Sequence, residues 1–267
     1  HLTSFDQSGG GGVDERIFNI EKYGMEYADK VLTVSEYTRQ IVIDKHHIDP
    51  QKVMVVHNGF VNINDNPPGE SDVLGVLPLK LAGNKVVLYL GRLTMHKGPD
   101  YFLKAAKRVL EYEPNTFFVV AGSGDMEWQL ITLAAELGIS HRVLFAGFVR
   151  GNERDCLFRS ADLFVLPSVS EPFGLTPLEA LVQGETPVIV SKQSGVAEIL
   201  KHSLQVDFWD TDEMANQMIA VLRHKPLSNM LVQNGKIEAL RATWDKAAEK
   251  CIAVYSDLIN LFKIHTN

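Results

Sequence analysis

The sequence predicts an α/β fold built on a parallel sheet with helices on both faces. Three observations predict it. From Lys85 onward, short apolar runs alternate with longer amphipathic segments. The run Leu163-Phe164-Val165-Leu166 is apolar without alternation, as in a central parallel strand covered on both sides. That run leads through a loop carrying Glu171 into a segment opening Thr176-Pro177, a strand-loop-helix unit.

Taken in order, residues 1–12, HLTSFDQSGGGG, read as loop, because four glycines add backbone freedom and no packing. Residues 14–28 read as a helix, with Ile17, Ile20, Tyr23, Gly24 and Tyr27 near one face. Val31–Val34 reads as a strand, and Ser35 as the cap of a helix running to about Lys45. Val53–Val56 is a second strand, ending at His57-Asn58-Gly59. His57 is read as a loop residue at a strand end. Residues 61–84 form a linker around the turn cluster Asn-Asp-Asn-Pro-Pro-Gly-Glu-Ser, with a small amphipathic piece before Lys85.

Strands then read at 85–90, 116–121, 142–146, 163–166, 187–190 and 203–207. Helices read at 99–112, 124–138, 151–160, 177–184, 195–201, 211–224, 227–240 and 244–264. The alternation is that of a Rossmann-like domain. The last helix is amphipathic, with Trp244, Ala247, Cys251, Val254, Tyr255, Leu258 and Leu261 on one side.

Composition narrows the function. The 267 residues suit one or two domains, and 45% hydrophobic residues suffice for a core. A net charge of -7 argues against a nucleic-acid binder. No apolar run reaches the length of a membrane span, and no signal peptide is legible. Cys156 and Cys251 match no metal or redox spacing and are read as reduced thiols of a cytoplasmic protein.

The chemistry-bearing stretch is 163–184, LFVLPSVSEPFGLTPLEALVQG. A loop with glycine that feeds a helix start offers free N–H groups and the positive end of the helix dipole to an anion. Local sequence reads Thr176, Pro177 and Glu179 as a capping box, in which Glu179 satisfies only the Thr176 amide. Glu171 is not explained that way. It lies at the carboxyl end of a central strand, where open α/β sheets bind ligands. The strand at 85–90 ends in Gly91-Arg92-Leu93-Thr94-Met95-His96-Lys97-Gly98-Pro99. Pro99 starts a helix, so Lys97 sits at its positive end with Arg92 and His96 close in sequence; an anion between them would relieve the repulsion, although a solvated lysine there would be only mildly unfavourable.

These strings resemble a known family. Glu171-Pro172-Phe173-Gly174-Leu175-Thr176-Pro177-Leu178-Glu179, with the preceding ADLFVLPS, is similar to the E-x7-E signature of retaining glycosyltransferases with the GT-B fold. That family includes glycogen and sucrose synthases and bacterial lipid and polysaccharide glycosyltransferases. The resemblance implies roles. Glu171 would face the donor sugar hydroxyls, and Glu179 would bond the nucleotide ribose. Amides of Phe173, Gly174, Leu175 and Thr176 would approach sugar and phosphates. Gly91 with the G-R-x4-K-G string would place Arg92 and Lys97 on the diphosphate, Arg92 as a fork and Lys97 as a compact charge. His1, in HLTSFD, resembles a histidine that contacts the donor sugar. Gly122 and Gly124, in the AGSGD turn, would line the pocket, and Phe148 and Val149 would frame the base through backbone groups.

The resemblance further implies a two-part GT-B chain. Residues 1–60 would be the tail of an incomplete acceptor-side Rossmann-like domain, 61–84 a linker, 85–243 the donor domain, and 244–267 a helix returning to the N-terminal part. The expected activity is sugar transfer from a nucleoside-diphosphate sugar to an unknown acceptor, with retention, by same-face attack. No cofactor and no metal are expected, since no Asp-x-Asp motif occurs. The competing class is a nucleotide-sugar binding fragment that needs a second chain or upstream domain over residues 1–60. A phosphorylase would require a pyridoxal lysine motif, which is not seen.

Overall fold

A computed structural model describes residues 14–60 and 75–265. The chain divides into two compact units, His1–Val61 with Arg241–Asn267, and Asn62–Leu240.

In the first unit, helix α1 (Glu15–Tyr27) begins at Asp14, whose carboxylate accepts from the amides of Arg16 and Ile17. Strand β1 (Val31–Thr33) pairs in parallel with β2 (Val53–Val55). Helix α2 (Glu36–His46) joins them, capped as expected by Ser35, whose Oγ accepts the Thr38 amide at 3.0 Å. The chain leaves β2 through Gly59 and Phe60, and the Phe60 amide donates to the Ala242 carbonyl at 2.8 Å.

The second unit is a six-stranded parallel sheet in the order β5-β4-β3-β6-β7-β8. Its strands are β3 (Lys85–Leu90), β4 (Thr116–Ala121), β5 (Val143–Gly147), β6 (Leu163–Leu166), β7 (Val188–Ser191) and β8 (Leu204–Val206). The helices of this unit are α3 (Val76–Leu81), α4 (Pro99–Tyr112), α5 (Glu127–Glu136), α6 (Asn152–Ser160), α7 (Thr176–Gln183), α8 (Thr211–Arg223) and α9 (Lys225–Leu240). The last helix of the chain, α10 (Trp244–His265), belongs to the first unit.

Both faces of the sheet are covered, so its strands are mostly apolar. On one face Phe102, Leu103, Ala106 and Val109 of α4 and Met214 and Met218 of α8 bury Val87, Phe118 and Val165. The Phe102 and Phe118 rings meet edge to face at 5.6 Å. On the other face Phe158 of α6 meets Phe164 of β6 at 5.8 Å in the same way. Sheet order reverses between β3 and β6, which pair at Leu88 and Phe164. The connections run outward from that line, β3 to β5 on one side and β6 to β8 on the other. A crevice at the carboxyl ends of two such strands is where a ligand has room.

Three expectations change. The helix expected at 195–201 is only a 3-10 turn, Gly195–Glu198, because its backbone is bonded to the loop after β6. The helix expected at 124–138 starts at Glu127, since Gly124 is held in a turn against Leu93. The small amphipathic piece expected before Lys85 is α3, and its Lys80 reaches Asp162 at 2.7 Å. The expected apolar side of α10 is only partly covered: Ala247 and Val254 are buried, whereas Trp244, Tyr255 and Leu261 are exposed.

Candidate donor-binding site

The site is assembled from three loops at the carboxyl ends of β3, β4 and β6. Backbone approach, more than side-chain packing, sets their spacing. The Gly91 amide donates to the Ala121 carbonyl, and the Leu93 amide to the Ser123 carbonyl, each at 3.0 Å. The Met126 amide closes the seam on the Leu93 carbonyl. A Cβ on Gly122 would lie 1.8 Å from the Gly91 oxygen, and one on Gly124 would lie 2.3 Å from the Leu93 oxygen. These two glycines are therefore explained by the closeness of the β3 and β4 loops. The Gly122 amide reaches across to the Gly147 carbonyl, which places Phe148 and Val149 beside this seam. Phe148 is exposed and Val149 half-buried.

The β3 loop is also stitched to the β6 loop. The His96 carbonyl accepts from the amides of Val169 and Ser170. Gly98, at φ +65, lets the chain pass so close to the Pro167 carbonyl that a Cβ would lie 2.2 Å from its oxygen. This contact delivers Lys97 to Glu171. The Lys97 ammonium donates to Oε2 of Glu171 and forms an ion pair with it.

Glu171 is held from behind. Its amide donates to the Gln193 carbonyl, and its carbonyl accepts the Gly195 amide, each at 3.0 Å. The Val196 amide similarly grips the Phe173 carbonyl at 2.7 Å. Gln193 is anchored in turn on Asp207, at 3.0 Å. The Phe173 ring is buried, so only its backbone faces the loop. Gly174 adopts φ +97, and the chain then enters α7. Among the described residues, the amides of Gly174, Leu175 and Thr176 have no protein acceptor. They supply an anion with unused donors at a helix N-terminus. Leu175 is exposed at this edge.

Arg92 projects from the β3 loop. Its carbonyl accepts the Tyr89 hydroxyl at 2.8 Å, which fixes the backbone. Burial, with a further push from the charge of Glu171, raises the Tyr89 phenol far above its ordinary range, so it remains a donor. The Arg92 guanidinium is exposed and pairs with no acid among the described residues.

The capping-box reading of Glu179 does not hold. Leu175, and not Thr176, is the N-cap, no side chain caps the helix, and Pro177 is its second residue. Glu179 lies a turn inside, and its Oε1 accepts from Nη1 of Arg154 at 3.0 Å. Burial pushes the Glu179 carboxyl up from its usual range, Arg154 pulls it back, and Asp155 adds to the rise. Arg154 also donates to Asp155 at 2.8 Å and to Gln183 at 3.3 Å. Sequence reasoning missed Arg154, because its partner belongs to a helix 25 positions away. A search for cations on α6 once Glu179 was left without its capping role would have found it.

Thus the β3 and β6 loops bring Lys97, Glu171 and the start of α7 together, with Arg92 on the same loop as Lys97. His1 lies outside the described residues. Among the described residues, no group of three or more His, Cys, Asp or Glu side chains is placed to hold a metal ion. No helix among them is long and apolar enough to cross a membrane.

A parallel sheet with this strand order is a doubly wound α/β fold, and the start of α7, whose amides have no protein acceptor among the described residues, lies at the carboxyl ends of its strands. The pattern of the glycosyl transferases group 1 family matches residues 78–238, and that of Glycosyltransferase Family 4 matches residues 4–61. The chain belongs to the group 1 glycosyltransferase family, with the GT-B type of α/β fold. It is 34% identical to an uncharacterized glycosyltransferase of Methanocaldococcus jannaschii, over 96% of this chain and 67% of that protein. It is 31% identical to the D-inositol 3-phosphate glycosyltransferase of Mycolicibacterium smegmatis, over 88% of this chain and 54% of that protein. The chain thus spans about half to two thirds of the length of these relatives. Two solved structures share the fold. Sucrose-phosphate synthase from Thermosynechococcus elongatus superposes with a TM-score of 0.76 at 23% identity, over 93% of this chain and 63% of that one. HepE of Anabaena, in complex with UDP and glucose, gives 0.78 at 21% identity, over 91% of this chain and 68% of that one.

Proposed function

We propose that this chain is the donor-binding portion of a retaining glycosyltransferase, which transfers a sugar from a nucleoside-diphosphate sugar to an acceptor. The observation that carries the reading is the convergence, at the point where sheet order reverses, of Lys97, Glu171 and the amides leading into α7, which have no protein acceptor among the described residues. Arg92, which pairs with no acid among the described residues, adds a second cation on the same loop.

In this reading Arg92, Lys97 and the amides of Gly174 to Thr176 hold the diphosphate. They offset the charge that grows on it as the glycosidic bond breaks. Gly91 lets the chain turn beside the phosphates. Glu171 accepts from sugar hydroxyls, and Glu179 from the ribose. Phe148 and Val149 frame the base. The 85–243 segment is the donor domain, with residues 1–60 and 244–267 forming the second part. Retention by same-face attack, assisted by the leaving phosphate, needs no metal; its signature is an α-configured product from an α-configured donor, read by proton NMR.

Calorimetric titration with UDP, ADP and GDP tests the donor site and names the base. UDP is the first probe, since one structural neighbour was solved with UDP and glucose. One diphosphate binds, and Arg92→Ala weakens it about tenfold to a hundredfold, the worth of a charge-assisted bond. Glu179→Ala weakens the nucleotide but not inorganic pyrophosphate. Failure of all three diphosphates to bind, both alone and with a full-length relative's N-terminal domain added, rejects the reading.

A further inference from the structure

Lys97 and Glu171 are read above as touching opposite ends of one ligand, yet they are bonded to each other. Their side chains are only 18% and 12% exposed. An ammonium and a carboxylate taken this far out of water hold each other, and separating them leaves an unpaired charge in a poorly solvated place. The Glu171 backbone cannot shift to follow Lys97, because it is pinned on both sides to the 193–195 loop.

We propose that the Lys97–Glu171 pair is a latch which couples phosphate binding to sugar binding. The inference rests on the donor-site reading. With the pair closed, its two charges cancel, and Arg92 is the cation that meets a diphosphate. A bare nucleoside diphosphate can recruit Lys97 only by stranding Glu171. A nucleoside-diphosphate sugar replaces the Lys97 hydrogen bond on Glu171 with its own hydroxyls, and Lys97 is released to the phosphates without leaving the carboxylate bare. Once the sugar has gone to the acceptor, the hydroxyls leave, the latch recloses, and the diphosphate loses a cation. The site therefore selects the intact donor and sheds the spent one.

The test is a double-mutant cycle read by calorimetry. Wild type, Glu171→Gln, Lys97→Met and the double variant are titrated with UDP and UDP-glucose, ADP and ADP-glucose, and GDP and GDP-mannose. Glu171→Gln opens the latch, so the nucleoside diphosphate binds about tenfold more tightly and the preference for the sugar-bearing ligand falls by a similar factor. In the Lys97→Met background the same substitution gives no such gain. Lys97→Met alone, which removes no carboxylate, weakens the sugar-bearing ligand at least fivefold more than the bare diphosphate. Far-ultraviolet circular dichroism of each variant confirms that it is folded, and Lys97→Met carries the test if Glu171→Gln is not. A gain that persists without Lys97 would assign the effect to the field of the carboxylate and overturn the latch. Equal weakening of both ligands by Lys97→Met would overturn it too. Those outcomes leave the donor site standing, because wild type still binds and Arg92→Ala still weakens. No binding of any pair by wild type rejects the donor site and the latch together.

Discussion

Nη1 of Arg154 lies 3.0 Å from Oε1 of Glu179 and ties α6 to α7 beside the loop that carries Glu171. The bond occupies one carboxylate oxygen and leaves Oε2 for another donor. It also opposes the burial that would protonate Glu179. Arg154 thus holds the Glu179 carboxylate in place and keeps it nearer its charged form.

Arg154→Ala should raise the Glu179 carboxyl further, because the opposing cation is gone while burial and Asp155 remain. The pH profile of nucleotide binding should move to higher pH, with binding lost earlier as pH falls. Both side chains are about a fifth exposed, so the stability loss near neutral pH should be modest, about 1–2 kcal/mol. A raised carboxyl favours the folded state only where it is protonated, so this loss should shrink toward acid pH. Arg154→Lys should restore part of the profile. An unmoved pH midpoint in Arg154→Ala would reduce the residue to a helix–helix tie.

Gly122 and Gly138 separate backbone strain from collision. Both have positive φ, +138 and +74, but a Cβ on Gly138 meets nothing within 4 Å. Gly138→Ala should cost about 1 kcal/mol, the conformational term alone. Gly122→Ala adds contact with the Gly91 carbonyl and should cost about 2–4 kcal/mol, read from urea denaturation midpoints. Equal midpoints for the two variants would mean that the β3 and β4 loops are free to part.

Gly59 tests how α10 is joined to the first unit. A Cβ there would lie 2.1 Å from the Trp244 amide nitrogen and 2.5 Å from the Thr243 carbonyl carbon. Neither atom can swing away as a side chain could. Gly59→Ala should cost about 1–3 kcal/mol. It should also speed hydrogen exchange at the Phe60 amide, which now donates to Ala242. Unchanged protection at Phe60 would contradict the close seating of the α10 start.

His46 should make the first unit sensitive to mild acid. Its ring is fully buried and stacks on Phe18 at 4.4 Å, with an interplanar angle of 12°. Burial lowers its affinity for a proton, and Glu21 at 3.9 Å offsets this only in part. The folded-state pKa is therefore below the unfolded value of about 6.5. As pH falls below 6.5 the unfolded chain takes up a proton that the folded chain resists, so stability falls. Above 6.5 the term vanishes. Thermal unfolding between pH 7.5 and 5.5 should fall more steeply for the wild type than for His46→Phe, which keeps the ring. Parallel curves would remove His46 from the acid response.

The elements themselves were legible because their signals are local. Period-two absence in Leu163–Leu166, the Ser35 cap and Pro99 at a helix start each act over a few residues. A 3-10 turn in place of the 195–201 helix was not legible, since the loop after β6 claims its backbone hydrogen bonds. The glycines of the site could be seen in the sequence but not their reason, which is the approach of two loops from neighbouring strands.

By itself, then, the sequence determined the order of the elements and the kind of most of them, the parallel sheet, and the residue types offered at the ends of its strands. Only the tertiary structure decided who meets whom. Lys97 and Glu171 are 74 positions apart, and the adjacency of β3 and β6 makes them partners. Glu179 fits a capping box by spacing, yet the packing of α6 on α7 gives it to Arg154 instead. Hydrophobic period and capping are short-range and are written into neighbouring residues. Charge pairing depends on distance through space and on how much water is excluded, and both exist only once the strands have taken their order.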